Sequence, residues 1–181
     1  MKARTVLRGL TAATLIALAG SALAQGCGPT RLKVTASVTL DVPPAKAWAR
    51  VGSFQDMSWD RETVSTTGSG GDVPDKAVRT VKLKDGSALG ESLYKYDAST
   101  MSYSYHIDAI DVARLPVQNV SATLEVVPEA GARSTIRWRA AFYRYLKPDE
   151  PAPDVADANA KRAMGDYLRE GLSGLKPDAR S

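Results

Sequence analysis

Between residues 77 and 146 the chain passes through five strand-like runs in succession, near 77–83, 87–97, 101–110, 117–128 and 134–146, with only turn material between most of them. A parallel pair needs a crossover of a dozen or more residues, so runs joined this closely can only pair antiparallel. The stretch from Lys33 to Val42, rich in β-branched residues, predicts an earlier strand, and Glu62 to Thr66 a weak one. Pro43-Pro44 ends the first strand, and Pro44 can open a helix that continues through Ala45, Trp48, Ala49 and Val51 to Gly52. Ser53 to Asp60 predicts a second small helix, with Phe54, Met57 and Trp59 buried, and 68–75 reads as a loop. After a linker from Pro148 to Asp154, Ala156 to Leu175 has the helical period. Its apolar arc holds Ala160, Met164, Tyr167, Leu168, Gly171, Leu172 and Leu175, with Arg162, Asp166, Arg169 and Glu170 opposite. The predicted class is α+β: a strand, two short helices, six strands, then a long helix lying on one face of an antiparallel sheet. At 44% hydrophobic residues the chain has the material for one core, and nothing suggests a second domain.

The first residues have a separate logic. Lys2, Arg4 and Arg8 precede an apolar run from Leu10 to Ala19, and Ser21-Ala22-Leu23-Ala24 supplies an A-x-A site. This is the three-part order of a secretory signal, and the run is too short to span a ~30 Å hydrocarbon core with ease. The reading predicts a signal peptide at 1–24 cleaved after Ala24, a flexible arm at 25–31, a folded domain at 32–176 and a disordered tail at 177–181. It places the mature protein in the periplasm or outside the cell, with no stable membrane span. Ala24-Gln25-Gly26-Cys27 departs from a lipoprotein box at two places, so no lipid anchor at Cys27 is predicted, and a single cysteine cannot form an internal disulfide. The signal removes three of the 24 Lys and Arg and none of the 20 acids, which leaves a net charge near +1. Interspersed charge of that size gives no basis for nucleic acid as a partner.

Strand alternation assigns the inward side chains. Val120, Ala122, Leu124 and Val126 form one row, and Ile136, Trp138, Ala140 and Phe142 another. At Lys84-Asp85-Gly86, a three-residue loop with left-handed Gly86 sets Val81 opposite Leu89 and Arg79 opposite Glu91; a two-residue loop would mismatch both. The three-residue register buries an acid–base pair, with both groups expected to shift toward their ionised forms. Tyr103, Tyr105 and Ile107 point inward and His106 outward. Charge, tyrosines and Trp138 make this interior more polar than a plain core requires.

The ordered set Ala77-Val78-Arg79-Thr80-Val81-Lys82-Leu83-Lys84-Asp85-Gly86, Gly90-Glu91-Ser92-Leu93, Tyr103-x-Tyr105-x-Ile107, Leu115-Pro116-Val117-Gln118-Asn119-Val120 and Thr135-Ile136-Arg137-Trp138-Arg139-Ala140-Ala141-Phe142 resembles the polyketide cyclase/dehydrase-type branch of the START-like (SRPBCC) superfamily. The resemblance covers roughly residues 32 to 175. It implies a helix-grip fold, a seven-stranded antiparallel sheet wrapped around its C-terminal helix, enclosing an apolar cavity. It further implies that the positions of Arg79, Glu91, Tyr105, Ile107, Val120, Ala122 and Trp138 line that cavity. With the inward-facing Trp59, Val81, Tyr103, Phe142, Met164 and Leu168 these form the predicted ligand-binding set. Two departures fall near the cavity mouth: Trp59 is followed by Asp60-Arg61 where relatives have Trp-x-Pro, and Lys76 stands where many have Gly. Exported members of the branch include an accessory protein of bacterial methanol oxidation, which implies a periplasmic oxidoreductase as partner.

No triad, metal-ligand spacing or phosphate-cradling loop is evident, and no metal or cofactor is predicted. Glu91 is the best catalytic candidate, yet an Arg79 partner would lower its pKa, against the needs of a general base. The pair can orient a ligand's polar end or only fix strand register. Three functions follow: binding of a small hydrophobic or amphipathic ligand, cyclase-type proton transfer by Glu91, Tyr105 or Arg79, and docking on an exported oxidoreductase with the interior filled.

Overall fold

The computed structural model describes residues 30–146 and 152–176. The predicted signal peptide, Cys27, all but the end of the 25–31 arm and the 177–181 tail lie outside the described residues. Within them the order is β1 (Leu32–Leu40), α1 (Pro44–Val51), β2 (Thr63–Ser69), β3 (Val78–Leu83), β4 (Ala88–Asp97), β5 (Ser102–Ala109), β6 (Val117–Glu129), β7 (Arg133–Arg144) and α2 (Pro153–Ser173). The strands make one antiparallel sheet in the order β1-β7-β6-β5-β4-β3-β2, a six-stranded meander with β1 added beside β7. With α2 on its inner face, this is the α+β helix-grip architecture.

The core follows from alternation on the strands and period on the helix. Leu32, Ala36 and Val38 of β1 face in beside Phe142, Trp138 and Ile136 of β7, their register partners. In β6 the left-handed residue Asn119, φ 50°, sits in a bulge that changes the phase. Val117 and Val120 thereby both face inward, although their spacing is odd. The α2 face toward the sheet carries Ala160, Met164, Tyr167, Leu168, Gly171 and Leu172, as the helical period predicts. The helix begins three residues before the predicted Ala156, because Pro153 suits its first turn and Asp154 complements its positive end.

Two local expectations are corrected. Residues 52–62 form successive single turns rather than a second helix. The Asp56 and Asp60 side chains accept the N–H groups of Ser58 and Glu62, each at 2.8 Å, so local bonds satisfy the backbone before a helix can propagate. Phe54, Met57 and Trp59 are nonetheless buried as expected. Second, β2 runs on through Gly68 and Ser69, which reads as loop in the sequence. Gly68 pairs with Arg79, and a Cβ there would stand 2.3 Å from the Val78 carbonyl oxygen. The glycine marks a close backbone approach inside a strand, not a break.

Candidate functional site: a buried polar cluster under the sheet

The β3–β4 turn has the three-residue form. Leu83 N–H donates to Ser87 O at 2.9 Å, Gly86 adopts φ 86°, and Asp85 Oδ1 accepts from Ser87 N and Oγ. Val81 therefore pairs with Leu89 and Arg79 with Glu91. Arg79 Nε donates to Glu91 Oε2 at 2.5 Å with both side chains fully enclosed, and Arg79 Nη1 donates to the Phe54 carbonyl. The guanidinium lies over the Phe54 ring, 4.2 Å from its centroid, and 5.0 Å from that of Tyr105. Trp138 Nε1 donates to Tyr105 Oη at 2.9 Å.

Further groups join this pair from the turn segment and from α2. Asp60 is 2% exposed, with Oδ1 accepting from Glu62 N–H. Gly171 of α2 lets it approach, since a Cβ there would lie 2.9 Å from the Trp138 ring and 3.1 Å from the Asp60 carboxyl. Tyr103 and Tyr167 are both buried. Five atoms of the group, Asp60 Oδ2, Arg79 Nη2, Glu91 Oε1, Tyr103 Oη and Tyr167 Oη, make no hydrogen bond of good geometry within the protein, although Arg79 faces the Tyr103 hydroxyl and Thr63 the Asp60 carboxyl.

Burial sets the protonation states. It pushes Asp60 up to about 6, against the Glu62 N–H bond and the Arg79 charge. Glu91 is also raised: complete burial outweighs Arg79, and the nearby Asp60 and Asp108 charges add to it. This corrects the expectation that pairing would draw Glu91 toward its ionised form, since the loss of water costs the carboxylate more than one cation returns. Burial works against the charge on Arg79, but Glu91, together with Tyr103 and Tyr105, more than offsets it and holds it above its ordinary value. Desolvation pushes Tyr103 up to about 12 and Tyr105 and Tyr167 well above the usual phenol range, so all three remain hydroxyl donors. The cluster thus offers a fixed cation, phenol donors, and one carboxyl, Asp60, that exchanges its proton near neutral pH.

All thirteen predicted ligand-binding residues are buried, Ile107 least so at 7%. Trp59 and Tyr167 flank Trp138 with ring centroids 5.4 Å from it, and Phe54 lies 6.0 Å from Tyr103 and 5.8 Å from Tyr105. The residues expected to line a hollow pack against the chain's own rings, among them Phe54 and Trp59 of the 52–62 turns. A surface cleft of about 250 Å3 is lined in part by Arg79, Glu91 and Asp108, although the side chains of the first two are fully enclosed. Asp108 is the extra residue of a bulge opposite Gly90 and Glu91. His106 points outward and stacks on Tyr94 at 4.4 Å.

The sequence reading assigned neither Asp60 nor Tyr167 to the site. Asp60 stood out only as a departure from Trp-x-Pro, and Tyr167 as one member of an apolar arc. A phenol on such an arc, needing a partner once buried, was the available signal.

An antiparallel sheet gripping its terminal helix over enclosed polar groups defines a START-like protein. The chain belongs to the family described as polyketide cyclase / dehydrase and lipid transport, whose model matches residues 31–180. Among solved structures it is similar to the protein XoxI from Bacillus cereus, at 23% identity and TM-score 0.66 over 79% of this chain and 92% of that one. A Thermobifida fusca protein matches at 24% identity and TM-score 0.61 over 79% and 89%. The ZhuI aromatase/cyclase from Streptomyces sp. R1128 matches at 12% identity and TM-score 0.63 over 81% and 92%. At these identities the likeness is one of fold. No curated protein matches. Among the described residues no helix is long and apolar enough to cross a membrane.

Proposed function

We propose that the chain is an exported START-like protein that takes a small amphipathic molecule beneath its sheet, the polar end of that molecule meeting the Arg79–Glu91–Asp60 cluster. The observation that carries this reading is the set of five buried polar atoms that make no well-formed hydrogen bond in the protein. Each such atom costs about 1–3 kcal/mol, and a ligand offering both donors and acceptors would remove that cost. The apolar part would displace Phe54 and Trp59. Both sit on single turns anchored by contacts such as Phe54 N–H to Asp72 Oδ1 at 2.6 Å and the Gln55 amide to the Ser69 and Gly71 carbonyls. Native mass spectrometry of protein purified from its own compartment tests this. A retained small molecule supports it, and spectra of the bare chain alone in repeated preparations overturn it. Export is tested on the same material: a mature N-terminus at Gln25 is expected, and an intact Met1 on the folded protein refutes it.

A second reading rests on the packed interior itself. If the rings stay in place, the fold serves as a rigid body that docks on a partner, a periplasmic oxidoreductase in the reading above. A native pulldown that recovers such an enzyme supports it, and an empty one argues against it.

A further inference from the structure

A larger cleft shares no lining residue with the buried cluster. It has a volume of about 820 Å3 and opens where the end of β1, α1 and the residues after α2 meet. That is within the ~300–1,000 Å3 range of small-molecule sites. Leu40, Val42, Ala47 and Leu175 give it an apolar floor, while Lys46, Arg50, Arg61 and Lys176, all exposed, stand around it. The one acid in its lining, Asp41, is already engaged by Arg133 at 2.9 Å. Among the described residues no carboxylate lies within ion-pairing distance of the four cations.

Local electrostatics do not explain this placement. Lys46 occupies the first turn of α1, the positive end of the helix, and no acid accompanies it there. Arg50 follows four residues later, so two like charges share one helix face, an arrangement that weakens a helix. Arg50 has a structural task, since its Nη2 donates to Gly174 O at 3.2 Å just beyond the end of α2. The side chains of Lys46, Arg61 and Lys176 have no such partner among the described residues.

Unopposed cations around an apolar floor complement a molecule with an acid group and a hydrocarbon body. We propose that this cleft binds a small amphipathic carboxylate, its anionic end held by Lys46, Arg61 and Lys176 and its apolar body on Leu40, Val42 and Leu175. The test is an NMR titration of the 15N-labelled protein with octanoate, alongside 1-octanol and inorganic sulfate. Saturable shifts at Leu40, Ala47 and Leu175 are expected. A folded Lys46→Gln/Lys176→Gln variant should bind octanoate at least tenfold more weakly, and Arg61→Gln alone serves if that pair perturbs the fold. Four outcomes overturn the proposal: equal binding of octanol, equal binding of sulfate, shifts centred on Tyr105 and Trp138 instead, or unchanged affinity in the variants.

Discussion

Replacing Asp60 by Asn should stabilise the protein at pH 8 and leave it nearly unchanged near pH 4. The acid is 2% exposed, and its Oδ2 makes no well-formed hydrogen bond in the protein. Burial raises its pKa from 3.8 to about 6, so the folded state holds this proton more tightly than the unfolded chain does. The stabilisation from the protonated form is complete below pH ~4 and is lost as pH rises through about 6. A rise of about two units, at ~1.36 kcal/mol per unit, makes that loss about 3 kcal/mol. Asn keeps an oxygen for the Glu62 N–H and stays neutral at every pH. Its advantage at pH 8 should therefore be about 2–3 kcal/mol, and at ~2–4 °C per kcal/mol for a chain of this size Tm should rise by about 5–10 °C. Urea unfolding of both proteins at pH 4.5, 6 and 8 measures it. A variant less stable than the parent at pH 8, or a gain equal at pH 4.5 and 8, refutes the desolvation argument.

At alkaline pH, where the raised Glu91 carboxyl is ionised, Glu91→Gln takes the counter-charge from the enclosed Arg79 and should cost about 3–5 kcal/mol by chemical denaturation; a loss under ~1 kcal/mol there would mean that water reaches the pair. The double change Arg79→Met/Glu91→Leu should recover most of that loss, because hydrocarbon of similar volume replaces both charges; a double variant as unstable as Glu91→Gln alone would assign the pair an essential packing role. Gly171→Ala puts a Cβ 2.9 Å from the Trp138 ring, for an expected cost of about 1–3 kcal/mol and altered tryptophan emission. An unaltered spectrum would place α2 farther from β7. Gly86→Ala forces an alanine into φ 86° and should destabilise by about 1 kcal/mol, with a wild-type melting curve as the contrary result.

The meander, the inward rows, the α2 face and the Arg79–Glu91 register were legible because each follows from local periodicity or from one turn. The 52–62 segment was misread because its apolar spacing also suits a helix, while its Asp side chains close the backbone into single turns. Gly68 was misread because a glycine-rich run looks the same in a loop and beside a closely approaching strand. The site was half legible. Arg79 and Glu91 declare themselves by facing each other across a hairpin, whereas Asp60 and Tyr167 arrive from segments far apart in the chain.

The amino-acid order by itself determined the antiparallel sheet, its register at Gly86 and the face that α2 buries, since these depend on neighbours a few residues away. Tertiary packing alone decided that Phe54 and Trp59 of the 52–62 turns lie against Tyr103, Tyr105 and Trp138 beneath the sheet. It also decided that Asp60 joins Glu91 and Arg79, and that burial raises both carboxyls against the groups that favour their charge. Desolvation is a property of everything that surrounds a group, and no local pattern of residues reports it.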